Sequence, residues 1–141
     1  MVCFANSSLA QKSSPVNWSF KAKPSGKAQA ILTFTASVAN DWHIYSQYME
    51  DVGPQPTQII IARNSDYALV GKTEEQGKAY KFYDSTFMIE ATWLSDTVVF
   101  SQKIKLNVPH TFIKGKVIFM SCTHDMCLLP EERQFNIEVT R

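Results

Sequence analysis

From Val16 onward, apolar residues in this chain recur at every second position. Trp18, Phe20 and Ala22 alternate with Asn17, Ser19 and Lys21, and Ala30, Leu32, Phe34, Ala36 and Val38 alternate with Thr33, Thr35 and Ser37. A period of two sends successive side chains to opposite faces of an extended backbone, so each run reads as a strand with one buried face. The pattern returns over residues 87–94, over 98–108 through Phe100, Ile104 and Leu106, and in a last run at Phe135, Ile137 and Val139. Residues 58–62, 67–70 and 112–120 are further β-rich runs. Turn chemistry separates them at Lys23-Pro-Ser-Gly26, Asn40-Asp41, Asn64-Ser-Asp66, Ser95-Asp96 and Pro109-His110, and Gly53, Pro54 and Pro56 make residues 49–56 a loop. No stretch carries the three-to-four-residue spacing of an amphipathic helix. Eight or nine strands with these turns predict an all-β chain folded as an antiparallel two-sheet sandwich.

A chain of 141 residues is long enough to bury a core of its own. The expected division is a flexible, Ser-rich lead-in over 1–15 and a single domain over 16–141. Fourteen basic residues nearly cancel thirteen acidic ones, which removes the electrostatic footprint of a nucleic-acid or anionic-membrane binder. No apolar run reaches the length of a bilayer span. The opening Met-Val-Cys-Phe-Ala, followed by Asn-Ser-Ser, reads either as the trimmed end of an export signal, with Cys3 a remnant of processing or a lipid attachment site, or as an ordinary terminus.

The chemistry concentrates in Met120-Ser-Cys-Thr-His-Asp-Met-Cys-Leu-Leu-Pro130, which holds Cys122 and Cys127. Three readings fit two thiols this close. As a structural bridge, the pair closes a ring of about 6 residues and removes only about 2 kcal/mol of unfolded-chain entropy, a weak staple. As a metal clip, Cys122, His124, Met126 and Cys127 offer soft ligands for Cu(I) or Zn(II), though a structural zinc needs donors from elsewhere, such as His43 or His110. As a redox couple, the pair needs accessibility and polar neighbours that assist proton transfer, and His124 and Asp125 lie between the thiols. Tyr80, Phe82 and Tyr83 form an aromatic group inside an otherwise polar, exposed loop that begins at Gly71. Trp18, Trp42 and Trp93 read as core residues on strand faces.

Pro15-Val-Asn-Trp-Ser-Phe20, Trp42-His-Ile-Tyr-Ser46, Lys81-Phe-Tyr83 and Cys122-Thr-His-Asp-Met-Cys-Leu-Leu-Pro130 follow one another in an order that resembles the periplasmic amino-terminal domain of the DsbD thiol–disulfide reductases. The resemblance covers nearly all of the chain after residue 15. It implies an immunoglobulin-like sandwich carrying a redox-active cysteine pair under a cap loop, in a periplasmic, exported thiol–disulfide oxidoreductase domain. Its implied partners are thioredoxin-like periplasmic proteins: a reductant domain on one side, and a disulfide isomerase or a cytochrome c maturation thioredoxin on the other. No cofactor or metal is implied, and the membrane enters only through a further domain or a lipid anchor. By position, Cys127 resembles the cysteine that forms mixed disulfides and Cys122 the one that resolves them. Phe82 resembles the tip of the cap, and His43 and Tyr45 the aromatic positions flanking the disulfide.

Two departures stand out. The cysteine spacing is one residue shorter than in the best-known members, and Tyr80 and Lys81 replace acidic residues before the cap Phe. That leaves His124 and Asp125 as candidates for proton transfer. The competing function is a periplasmic binding module, either a copper carrier using Cys122, His124, Met126 and Cys127 or a protein-docking sandwich with a structural cysteine pair.

Overall fold

Each alternating run is a strand in the computed structural model, which describes residues 14–141. The strands are β1 (Val16–Pro24), β2 (Gln29–Val38), β3 (Ile44–Tyr45), β4 (Gln58–Ile61), β5 (Tyr67–Asp84), β6 (Ile89–Leu106), β7 (His110–Phe119) and β8 (Glu131–Thr140). There is no helix among the described residues. The expectations for Cys3 and an export signal fall outside the described residues. Ser14 and Pro15 lie against the domain: Ser14 Oγ donates to Glu131 and the Pro15 carbonyl accepts from the Ala39 amide.

All pairings are antiparallel. β1 pairs with β2 and β2 with β6, while β5 takes the other edge of β6 along its length. β3 continues the edge used by β2, pairing Ile44 and Tyr45 with Leu94 and Trp93. The second sheet has the order β4-β7-β8. The two sheets close over Leu32, Phe34, Ala36, Val98, Phe100, Ile104, Leu106, Ile113, Val117, Phe119, Phe135 and Ile137, all buried. Trp18 packs onto this core against Phe20, Phe100 and Phe119. Burying these alternating faces is the main source of stability, each full aliphatic or aromatic side chain contributing about 1.5–3 kcal/mol.

Two expectations need correction. Ser95-Asp96 does not end a strand, because β6 runs unbroken from Ile89 to Leu106. The turn signal marks a bulge instead. The register passes from Gln76↔Val99 to Lys78↔Ser95, setting Gly77 against three residues of β6, with Asp96 in the left-handed region at φ 62°. The polar stretch after Gly71 is likewise strand rather than loop. It stays exposed because β5 is an edge strand whose charged residues face water. A second bulge between Val70 and Glu74 is held by the buried Gln102. Its amide nitrogen donates to the carbonyls of Val70, Gly71 and Lys103, and its oxygen accepts from Thr73.

The buried face of β6 changes along its length. Leu94, Val98, Phe100, Ile104 and Leu106, the even positions, serve the main core, whereas Ile89 and Ala91 are buried on the odd face. The end of the β5–β6 hairpin therefore carries a second, smaller core on the other side of the sheet. Tyr45, Ala91 and Cys122 form its centre, and Met49, Phe82, Trp93 and Met120 pack around them.

Candidate functional site

The second core is built where the two sheets meet at one end. β7 ends at Phe119, and Cys122 follows as a bridge residue against His43, just before β3. The His43 amide donates to the Cys122 carbonyl at 2.9 Å and the Cys122 amide to the His43 carbonyl at 3.0 Å. The chain then reverses within the ring. Thr123 donates its amide to the Met126 carbonyl, Thr123 Oγ1 accepts from the Asp125 and Met126 amides, and Leu128 donates to the Ser121 carbonyl. This tight reversal sets Cys127 opposite Cys122, and the two sulfurs are bonded as a disulfide.

The two cysteines differ sharply in environment. Cys122 is 1% exposed, beneath the aromatic cluster, whereas Cys127 lies at the surface. An incoming thiolate must therefore meet Cys127 first, since in-line approach to a buried sulfur is closed.

His43 and Tyr45 are buried on the Cys122 side of β3. His43 stacks on Trp93 with ring centroids 3.9 Å apart and meets Tyr45 edge-on at 5.4 Å. Its Nε2 has no hydrogen-bond partner. Burial, reinforced by the nearby His124, lowers the His43 pKa to about 4, so the ring is neutral near pH 7. Burial also raises the Tyr45 phenol above its ordinary range, keeping it protonated.

Phe82 lies within β5, opposite Ala91, and not in a loop. The turn of this hairpin is Ser85–Met88, closed by Asp84, whose carboxylate accepts from the Thr86 and Phe87 amides. Phe82 is half-buried, edge-on to Trp93 at 4.9 Å and stacked beside Tyr80 at 5.9 Å. Tyr80 shares that face and is mostly exposed. Strand alternation sends Tyr83 to the other face, into a groove with Ser46, Met49 and Met88, so the sequence trio is split between two sides.

His124 is exposed, with its ring edge-on to Trp93 at 5.5 Å. Asp125 is exposed in the turn, and both border a cleft with His43, Lys78 and Asp96. Met126 is 52% exposed. The donors weighed for copper do not stand ready as a set, because the two sulfurs are bonded to each other. His110 lies elsewhere, on β7 against Glu138. No group of three or more His, Cys, Asp or Glu side chains able to hold a metal occurs among the described residues.

Sequence reading placed Trp93 in the core with Trp18 and Trp42. The structure instead makes it the hub of the site, half-buried and touching His43, Tyr80, Phe82 and His124. On its strand it is directly opposite Tyr80 on one side and Tyr45 on the other, pairings that only the folded sheet sets. Met49 and Met120 are also site residues that sequence reasoning missed.

No family model matches this chain, and no curated protein matches it significantly. Among solved structures it is similar to the N-terminal periplasmic domain of ScsB from Proteus mirabilis. There the TM-score is 0.57 at 15% identity, over 83% of this chain and 43% of that one, so this chain spans less than half of the ScsB domain's length. It is also similar to the N-terminal domain of Neisseria meningitidis DsbD in the reduced form, with a TM-score of 0.61 at 11% identity over 90% of this chain and 87% of that one. These likenesses establish the fold as the immunoglobulin-like sandwich of those domains.

Proposed function

We propose that this domain is a periplasmic thiol–disulfide exchange module, passing reducing equivalents between thioredoxin-like proteins through Cys122 and Cys127. The observation that carries this reading is the asymmetry of the pair: one sulfur residue at the surface, its bonded partner buried under aromatic rings. A structural staple needs no such arrangement, and a ring this short contributes little to stability.

The steps follow from that geometry. A partner thiolate attacks Cys127, forming a mixed disulfide as the Cys122–Cys127 bond breaks. The electron pair leaves on Cys122, which takes up a proton inside the small core. The partner's second thiolate then attacks its own bonded sulfur, closing the partner's disulfide and releasing Cys127. The domain has gained two electrons and two protons. Running the sequence backwards reduces an acceptor disulfide, with Cys127 attacking and Cys122 resolving.

Activation differs from that at a thioredoxin site, where a helix N-terminus depresses the thiol pKa. With no helix among the described residues, this site has no such dipole to offer. Reactivity is set by access. In this reading Phe82 and Tyr80, at the end of the hairpin, form the cap that a docking partner displaces, and His124 and Asp125 line the approach.

A monocysteine thioredoxin, its resolving cysteine removed and its remaining cysteine activated as a mixed disulfide with thionitrobenzoate, tests the assignment, because the domain's thiolate expels thionitrobenzoate as the new bond forms. Cys122→Ala should trap it as a stable mixed disulfide through Cys127, and Cys127→Ala should trap little or none. Equal trapping by both variants, or trapping by neither, would sink the reading.

A further inference from the structure

We infer that His43 is the proton acceptor for Cys122 when the buried thiol attacks the mixed disulfide at Cys127. The inference rests on the exchange reading above and assigns a role that the carboxylates near a cap do not fill in this chain.

Three observations converge on it. First, His43 and Cys122 are paired residues of an antiparallel bridge, exchanging both backbone hydrogen bonds. Directly opposed residues put their side chains on the same face, with Cβ atoms about 4.5–5.5 Å apart. The imidazole and the sulfur are therefore neighbours by backbone geometry. Second, His43 is 5% exposed, and its Nε2 is one of the few buried side-chain atoms without a partner. Native proteins rarely leave such an atom unpaired. In the disulfide form Cys122 has no proton to offer, but in the reduced form its S–H is a donor. The orphan nitrogen of one redox state thus gains a partner in the other. Third, the ring is fixed by stacking on Trp93 and edge contact with Tyr45, so it does not have to be ordered at the moment of transfer.

The ring is in the form that can accept a proton. His43 enters the step unprotonated near pH 7, held so by burial and by His124. The other ionisable groups around this face are Tyr45, buried beside it, and Tyr80, Asp41, Lys78, Asp96 and Asp125 along the cleft. As the Cys122 proton moves to the imidazole, the resulting thiolate faces an imidazolium, and the opposite charges offset the burial that disfavours either alone. The thiolate then attacks Cys127, the Cys122–Cys127 bond forms, and the partner leaves as its thiolate.

The chromogenic aromatic disulfide DTNB isolates this step without any protein partner. Cys127 of the reduced domain attacks it, releasing one thionitrobenzoate and leaving a second on Cys127. Cys122 then expels that second one, and the two releases are read separately by stopped flow. In His43→Phe, which keeps the ring stack, the first release should match the parent within about twofold. The second should be at least tenfold slower at pH 7, a modest share of the 10²–10⁴ typical of a positioned base. The gap should close at alkaline pH, where solvent removes the thiol proton. If His43→Phe does not fold, His43→Gln, which keeps a polar planar group but accepts no proton, carries the same comparison. An unchanged second release at pH 7, or parallel slowing of both releases, overturns the assignment. Failure of the monocysteine thioredoxin to be trapped would instead sink the exchange reading, so the two outcomes are distinguishable.

Discussion

Acidification should destabilise this domain through His43. The ring is 5% exposed, and burial, helped by the charge of His124, takes its pKa from 6.5 to about 4. A depressed histidine pKa means that the folded state binds fewer protons than the unfolded state between those two values. Stability from this source is therefore complete above pH 6.5 and is lost as the pH falls towards 4. Linkage at about 1.4 kcal/mol per pH unit gives a loss of about 2 kcal/mol by pH 5 and about 3 kcal/mol by pH 4. Against the 5–15 kcal/mol of a typical domain, that is a large fraction. The assay is urea unfolding with the disulfide intact, from pH 7 to pH 4, comparing the parent with His43→Phe. The carboxylates are common to both proteins, so the difference between the two curves isolates His43. It should be flat above pH 6.5 and turn steadily against the parent below it. His124→Ala removes the second cause and should narrow that window without abolishing it. A difference curve that stays flat to pH 4 would show that the buried ring is not held neutral, and would refute the reasoning.

Other perturbations read out separate parts of the structure. Phe82→Ala removes the edge-on contact with Trp93, a pair worth about 0.5–1.5 kcal/mol, so reduction of the disulfide by glutathione should accelerate roughly 2- to 13-fold. An unchanged rate would exclude Phe82 as a cap. Gly115→Ala places a Cβ 2.1 Å from the Ile60 carbonyl oxygen and 2.5 Å from the Phe135 ring, where β4 and β7 pair. Because the first of these is backbone, the strands must separate, and the urea midpoint should fall by the equivalent of about 1–3 kcal/mol while thiol reactivity is unaltered. Gln102→Leu strips the second bulge of its side-chain donor and leaves carbonyls near a buried apolar group, for a loss of about 1–3 kcal/mol in the same assay.

The strands were legible because each buries one face, and a period of two survives in the sequence wherever that holds. β2 is the clearest case, its burial alternating just as its residues do. Legibility failed where burial ceased to be one-sided. β5 has almost no buried residue after Tyr67, so its central stretch carries no alternation, and pairing with β6 alone makes it a strand. Ser95-Asp96 carries turn residues because a bulge demands the same left-handed backbone as a turn, and local sequence cannot separate the two. At the site, the cysteines, His43, Tyr45 and Phe82 could be named in advance, whereas Trp93 could not. Its neighbours come from β3, from β5 and from the cysteine turn, and only the completed sheet brings those together. The opposite exposures of Cys122 and Cys127 were invisible for the same reason.

On the reading proposed above, in which Tyr80 and Phe82 cap the pair, the two-sided use of β6 would let the site open without loosening the protein. A cap over a single shared core could lift only by exposing that core, at a cost comparable to the stability of the whole domain. Here the sheet itself separates the two. Leu94, Val98 and Phe100 face the main core, whereas Ala91 and Trp93 face Cys122. The hairpin end holding Tyr80 and Phe82 is fixed by edge pairing and a few aromatic contacts, and few of its residues are fully buried. Displacing it therefore costs contacts worth about 1 kcal/mol each rather than a core's worth. On that reading a docking protein would have to supply only a small apolar contact of its own, with β1, β2, β7 and β8 staying packed.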